Sequence, residues 1–146
     1  MARLRQRIVQ LIEANGPLSV ADYMAICLFD PEDGYYSTRQ PFGTTGDFTT
    51  APEISQIFGE LIGVWVLGAW QASGRPLPVT LAEIGPGRGT LMQDLLRTIG
   101  KLDSGLALAA DIAMVETSPQ LAGVQKAMLG ERASRVVWHE TMVSLP

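Results

Sequence analysis

The chain has 146 residues, of which 47% are hydrophobic and 18% are charged. This length is typical of one domain, and the composition supports a packed core and excludes global disorder. The formal net charge is −4, so the chain lacks the basic excess with which proteins bind nucleic acid. One histidine and one cysteine provide no metal cluster, and we expect no metal. Cys27 lies in an apolar run and is interpreted as an inert core thiol.

The beginning of the chain is predicted to form two helices joined by a short break. Apolar residues at helical spacing predict an amphipathic helix over 3–14. Ser19 is placed to cap a second helix over 20–29, which ends at the turn-forming residues 30–34.

The middle of the chain has one irregular stretch and one long apolar helix. Residues 35–51 show no clear period and are predicted to form an ordered loop with one short hairpin. A single helix is predicted from Pro52 to Ser73. Its most apolar run, 61–70, is too short to cross a membrane and is interpreted as buried, with Trp65 in the core and Trp70 partly exposed.

The last part of the chain alternates strands and helices, which specifies a parallel sheet with right-handed crossovers. We therefore predict an α/β, Rossmann-like fold preceded by a helical region. In chain order the predicted elements are a strand over 79–84, a glycine turn over 85–89, a helix over 90–99, a loop over 102–110, a strand over 111–116, a helix over 119–129 and a strand over 135–139.

The glycine turn between the first strand and its helix predicts a nucleotide-type pocket. Glycines let a ligand approach the backbone, and the start of the helix offers unpaired N–H donors. Glu116 follows the second strand, where a carboxylate can accept both hydroxyls of an adenosine ribose. The alternative is an ordinary tight turn with an exposed acid.

The turn favours S-adenosylmethionine over NAD as the adenosine cofactor. Its glycines are spaced G-x-G-x-G, so the third glycine comes one residue earlier than in the dinucleotide fingerprint. Glu83 lies two residues before the first glycine and would repel a pyrophosphate, whereas it suits the ammonium and sulfonium of S-adenosylmethionine.

Several segments resemble the MidA-like family of class I S-adenosylmethionine-dependent methyltransferases. The segments are Glu83–Leu91, Gly34–Tyr36, Gly46–Ser55, Phe58–Glu60 and Val115–Pro119. The family includes the mitochondrial methyltransferase of complex I assembly. The resemblance implies methyl transfer to a protein arginine on a subunit of respiratory complex I or its bacterial counterpart. A non-catalytic cofactor-binding assembly factor and an NAD-dependent oxidoreductase are the alternatives.

The resemblance also assigns site residues to positions of this chain. The cofactor-binding residues it implies are Glu83, Gly85, Pro86, Gly87, Gly89 and Glu116. An arginine acceptor needs carboxylates to orient the guanidinium and to help it lose a proton. The candidates for this role are Asp47, Glu53 and Glu60, of which the last two are predicted to share a face of one helix.

The resemblance implies a division of the chain at about residue 76. Residues 1–76 are expected to form a helical lid on the substrate side, and residues 77–146 the first half of the cofactor-binding domain. The class I sheet is longer than the three strands predicted here, so we expect a fragment of a longer protein. The expected location is the cytoplasm in a bacterium, or the mitochondrial matrix in a eukaryote.

Overall fold

A computed structural model of the chain describes residues 2–39, 46–47 and 49–146, with the side chain of residue 2 excepted. The chain divides into two compact units, Met1–Pro41 and Phe42–Pro146, and each is described by itself. Phe42 and Phe48, in the predicted loop over 35–51, lie outside the described residues. None of the helices in the described ranges has both the length and the apolar character needed to cross a membrane.

The first unit consists of helices, as predicted for its two longer elements. Helix α1 spans Ala2–Asn15 and α2 spans Val20–Phe29, with the Ser19 hydroxyl accepting the Asp22 N–H at the start of α2. A short helix, α3, spans Tyr35–Thr38. The prediction of a loop was wrong for these four residues, because a turn this short leaves too little periodicity to detect.

The turn between α2 and α3 is held by Asp30, which is buried. Its carboxylate accepts two hydrogen bonds from the Arg7 guanidinium, at 2.7 and 3.2 Å, and the backbone N–H groups of Glu32 and Asp33. The bond from Arg7 lowers the pKa of Asp30 below its usual value. Cys27, on the preceding helix, is half-buried.

In the described part of the second unit, two helices lie where one was predicted. Helix α4 spans Ala51–Ile54 and α5 spans Gln56–Ala72. Ser55 separates them in an extended conformation, with φ −150°, and its hydroxyl accepts the Ile57 N–H to cap α5. The prediction that Glu53 and Glu60 share one helix was therefore wrong.

The remaining elements form a parallel sheet with helical crossovers, which confirms the predicted α/β fold. The strands are β1 (Thr80–Ile84), β2 (Asp111–Val115) and β3 (Val136–His139), in the order β1-β2-β3. The helices between them are α6 (Thr90–Leu102), α7 (Ser104–Ala109) and α8 (Pro119–Leu129), and 3-10 turns span Gly130–Arg135 and Met142–Ser144.

Two boundaries differ from the prediction on the crossover between β1 and β2. Helix α6 continues through Gly100 to Leu102 instead of ending at residue 99. The predicted loop over 102–110 contains α7, because the Asp103 side chain accepts the Leu106 N–H and caps a new helix.

Helix α5 packs against α6 closely at two glycines, and Leu67 joins the core beside them, with Ile62, Val66 and Trp70 partly buried against it. Gly59, Gly63 and Leu67 are its buried residues. Trp65 is 70% exposed, so the predictions that the apolar run over 61–70 is buried and that Trp65 lies in the core were wrong. Trp70 is half-buried against the core, as predicted, and its indole N–H donates to the Pro76 carbonyl at 3.0 Å.

Candidate cofactor-binding site

The glycine turn between β1 and α6 has a backbone that other residues adopt only with strain. Gly85 (φ 63°), Gly87 (φ 55°) and Gly89 (φ 86°) all lie in the left-handed region. Apart from Gly85 and its two chain neighbours, no described residue has an atom within 4 Å of the position where Gly85 would carry a Cβ, so the turn leaves open space above this glycine. The Gly85 N–H donates to the Val115 carbonyl at 3.0 Å, which ties the turn to β2.

Glu83 carries a buried carboxylate oxygen that lacks a hydrogen-bond partner among the described residues. It lies near the end of β1, and no described residue forms a hydrogen bond with its buried Oε2 atom. Burial raises the pKa of Glu83 to about 7, and the backbone N–H of Met92 opposes the shift. A buried carboxylate of this kind is completed by a cationic ligand group, which would favour its charged form.

The turn and Glu83 line a cavity of about 150 Å³. Thr50 and two residues of helix α4 also contribute to the lining. The lining residues are Thr50, Pro52, Glu53, Glu83, Gly85, Pro86, Gly87, Arg88, Thr90 and Leu91. The structure thus brings together four of the predicted cofactor residues and one predicted catalytic carboxylate, whereas Gly89 and Glu116 are outside this lining.

Glu116 lies directly after β2 and is half-buried. Its Oε1 atom accepts the backbone N–H of Ser118 at 2.8 Å, and its Oε2 atom accepts the side-chain amide of Gln125 at 2.9 Å. The same Gln125 amide nitrogen donates to the Gly87 carbonyl at 2.9 Å. Glu116 is therefore connected to the glycine turn by a single buried side chain.

Glu53 joins α4 to the glycine turn. Its side chain is 13% exposed, and its Oε2 atom accepts a hydrogen bond from the Arg88 guanidinium at 3.0 Å. Its Oε1 atom accepts the hydroxyl of Thr90, the first residue of α6. Glu53 is thus the predicted catalytic acid that lies within the cavity, and it already holds a guanidinium there.

The other two predicted catalytic acids lie apart from the cavity lining. Glu60, on α5, accepts the Gln56 amide at 2.8 Å and the Arg97 guanidinium at 3.0 Å. These bonds, with the one from Gln56 first, lower the pKa of Glu60 below its usual value. Asp47 is exposed in a bend outside the helices and strands.

Gln125 is the polar residue of this region that sequence reasoning missed. It is fully buried on α8 and bonds to three separate segments: the glycine turn, the residue after β2, and β3. A glutamine one residue before Lys126 in a helix is usually interpreted as exposed. Its only sequence signal is its position on the same helix face as Leu121 and Leu129, which are buried.

Fold and site together define a Rossmann-like domain with a site for an adenosine-containing cofactor. The open backbone at Gly85 accommodates close approach of a ligand, Glu83 matches a cationic group, and Glu116 retains acceptor capacity for hydroxyls. These three features fit S-adenosylmethionine, whereas a pyrophosphate beside the buried Glu83 carboxylate would be repelled.

The chain belongs to a family of S-adenosylmethionine-dependent methyltransferases. The family, described as "Putative S-adenosyl-L-methionine-dependent methyltransferase", matches residues 61–146. This confirms the resemblance stated from the motifs and the prediction of S-adenosylmethionine as the cofactor.

Curated relatives of the chain carry the name protein arginine methyltransferase NDUFAF7, mitochondrial. The mouse protein is 46% identical over 127 residues, covering 86% of this chain and 29% of its own length. The human protein is 44% identical over 121 residues, covering 82% of this chain and 27% of its own length. The homologue from Drosophila melanogaster is 45% identical over 122 residues, covering 84% and 28%. The chain thus spans less than a third of the length of these relatives.

A solved structure supports the same assignment. A crystal structure of a protein from Burkholderia thailandensis bound to S-adenosyl-homocysteine is 31% identical, with a TM-score of 0.75, over 96% of this chain and 37% of that one. S-adenosyl-homocysteine is what remains of S-adenosylmethionine after methyl transfer. The neighbour therefore combines this fold with a ligand of the predicted class.

Proposed function

We propose that this chain forms the cofactor-binding part of a protein arginine methyltransferase. The observation that carries the proposal is the buried Oε2 atom of Glu83, which has no hydrogen-bond partner in the described part of the chain, beside the open backbone at Gly85. The names of the curated relatives support an arginine acceptor on a protein. A subunit of respiratory complex I, or of its bacterial counterpart, is the proposed substrate.

Each cofactor residue receives a role from its place in the site. Glu83 would pair with the ammonium or sulfonium of S-adenosylmethionine, and Glu116 would accept the two ribose hydroxyls. Gly85, Pro86, Gly87 and Gly89 form the backbone over which the cofactor lies. When bound, the cofactor supplies a methyl group on a positively charged sulfur, which leaves as a neutral thioether.

The acceptor side places different demands on the protein, because a guanidinium group stays protonated throughout the physiological pH range. The attacking nitrogen must lose a proton as its bond to the methyl carbon forms, so a carboxylate must orient the group and accept that proton. We propose Glu53 for this role, because it lines the cavity and already binds the guanidinium of Arg88. Asp47 and Glu60 stay candidates from the sequence motif.

The amino-terminal part is proposed to cover the cofactor on the substrate side. Residues 1–76 form this lid and residues 77–146 the first half of the cofactor domain. The contribution of Thr50, Pro52 and Glu53 to the cavity wall supports this role for the end of the lid. Because the names of the curated relatives are mitochondrial, we propose the mitochondrial matrix for a eukaryotic protein and the cytoplasm for a bacterial one.

The test combines binding with transfer in the complete protein. Calorimetry should detect binding of S-adenosylmethionine to the unsubstituted protein. Gly87→Val or Glu116→Ala should abolish that binding or weaken it strongly. With radiolabelled cofactor and cell extract, mass spectrometry should identify a methylated arginine. Glu53→Gln should retain binding and lower transfer by about 100-fold or more, the range of a proton-accepting group.

Two outcomes would contradict the proposal. Absence of cofactor binding would reject the methyltransferase, and binding without methylation of any extract protein would favour the assembly factor. Glu131→Gln is the matched control, because Glu131 is exposed on a 3-10 turn outside the cavity lining and its loss should leave transfer unchanged.

A further inference from the structure

The buried amide of Gln125 connects three segments that would otherwise be independent. It lies on α8 with 0% exposure. Its nitrogen donates to the Gly87 carbonyl and to Glu116, both at 2.9 Å. Its oxygen accepts the indole N–H of Trp138, on β3, at 2.9 Å.

Trp138 determines which way this amide faces. An indole nitrogen can only donate, so it must meet the amide oxygen, and the amide nitrogen must then face Gly87 and Glu116. The reversed amide would place its oxygen against a carbonyl and a carboxylate, three acceptors without a donor. The contact with Trp138 thus excludes the orientation that would repel Glu116.

The amide also sets how much of the Glu116 carboxylate is left for a ligand. A carboxylate has about four acceptor positions, and Ser118 and Gln125 use one on each oxygen. Capacity remains on both oxygens, which suits two neighbouring hydroxyls. Gln125 also lies close to the last glycine of the turn, since a Cβ added to Gly89 would be 3.4 Å from the Gln125 Cγ atom.

We propose that Gln125, oriented by Trp138, is a positioning residue that holds Glu116 in the orientation that recognises the cofactor ribose. This inference rests on the proposed function, in which Glu116 binds the ribose hydroxyls. Gln125 acts on the ligand through Glu116. Its loss therefore weakens recognition of the ribose hydroxyls more than recognition of the rest of the ligand.

The test measures binding of two ligands to the complete protein by calorimetry: S-adenosyl-homocysteine and its 2′,3′-dideoxy analogue. Gln125→Met keeps the length of the side chain and removes the amide. We expect S-adenosyl-homocysteine to bind about tenfold more weakly, the effect of about one hydrogen bond to a charged group, while the dideoxy analogue changes less than about twofold. Gln93→Met is the matched control, because the Gln93 amide joins α6 to Met128 on α8 without contacting Glu116.

A second variant keeps the proposal testable if Gln125→Met fails to fold. Trp138→Phe keeps an aromatic side chain but loses the pyrrole ring with its N–H donor to Gln125. It should lower the preference for the ribose hydroxyls in the same direction as Gln125→Met. The double variant Glu116→Ala/Gln125→Met should bind no more weakly than Glu116→Ala alone, because Gln125 acts through Glu116.

The outcomes separate this inference from the proposed function. If the protein does not bind S-adenosyl-homocysteine, or if Glu116→Ala binds it normally, the proposed cofactor site is wrong. If Glu116→Ala weakens binding of S-adenosyl-homocysteine but Gln125→Met and Trp138→Phe leave it unchanged, the cofactor site stands and the positioning role is refuted. The same conclusion follows if Gln125→Met and Trp138→Phe weaken binding of both ligands equally.

Discussion

Replacing Glu83 by glutamine should make the ligand-free protein more stable at neutral and alkaline pH. The carboxylate has a buried oxygen with no hydrogen-bond partner in the described part of the chain, and burial raises its pKa to about 7. Glutamine keeps the shape of the side chain and removes the charge. The substitution therefore relieves the unfavourable burial of a negative charge while the core around it stays intact.

The size and sign of the effect follow from the pKa of Glu83. A rise from 4.5 to about 7 corresponds to about 3 kcal/mol of free energy of unfolding, since one pKa unit is about 1.4 kcal/mol. The folded state holds the proton more tightly than the unfolded state does. The contribution of Glu83 to the free energy of unfolding is therefore fully present below about pH 4.5. It is lost as the pH rises toward about 7, and it does not change further above that pH.

The measurement is the free energy of unfolding of both proteins in urea between pH 4.5 and 8. The difference between Glu83→Gln and the unsubstituted protein should change by about 3 kcal/mol across this range, because the other titrating groups cancel. Glu131→Gln, at an exposed position, should show a constant difference. Parallel curves for Glu83→Gln and the unsubstituted protein would refute the assignment of a buried, protonated carboxyl.

Ligand binding gives an independent measurement of the same carboxyl. A cationic group placed beside Glu83 favours its charged form, so binding of S-adenosyl-homocysteine near pH 6 should expel about one proton. Calorimetry in two buffers of different ionisation enthalpy measures that proton. Glu83→Gln should release none and should bind more weakly, and equal proton release in both proteins would contradict the pairing of Glu83 with the ligand cation.

Packing makes two further predictions, each measured as the free energy of unfolding in urea. Gly59→Ala places a Cβ 2.6 Å from the Cβ of Asp94 and should cost about 1–3 kcal/mol, whereas Gly68→Ala on the same helix meets no described atom within 4 Å and should stabilise by up to about 1 kcal/mol. Ile99→Ala, at a residue with 0% exposure, should cost about 2–5 kcal/mol, whereas Leu108→Ala, at 75% exposure, should stay within about 0.5 kcal/mol. Equal effects within either pair would contradict the packing described.

The sheet and the glycine turn were predictable because their signals are local. A strand, a glycine turn and a helix start follow one another without interruption, so Glu83 and its turn could be placed from sequence alone. Parallel pairing then brings the ends of β1 and β2 together, with Ile84 opposite Val115. Glu116, the next residue along, reaches the same edge of the sheet as the turn.

The buried face of α5 was not predictable in the same way. The helix is apolar on most of its surface, so hydrophobicity does not show which side packs. The structure buries Gly59 and Gly63 against α6 and leaves Leu61 and Trp65 exposed. Glycines are favoured at this contact because they let the backbones of α5 and α6 approach closely. Which face of α5 is buried therefore depends on the packing partner α6, and the sequence of α5 alone does not show it.

The burial of the polar residue Gln125 was likewise not predictable from the local sequence. Its partners are 38, 9 and 13 residues away along the chain. A buried amide is stable only when nearly all of its hydrogen bonds are made. No local pattern could show that Gly87, Glu116 and Trp138 would converge on one side chain, so its burial depends on the complete fold.

The Glu53 carboxylate links the proposed cofactor site to the proposed acceptor site. The motif around it predicted a role toward the acceptor, and the structure bonds it to Arg88 and Thr90, on either side of the last glycine of the turn. A change in the glycine turn must therefore alter the environment of Glu53, and an acceptor guanidinium that reaches Glu53 must compete with Arg88. Under the proposed function, cofactor binding and acceptor binding are consequently coupled through direct contacts.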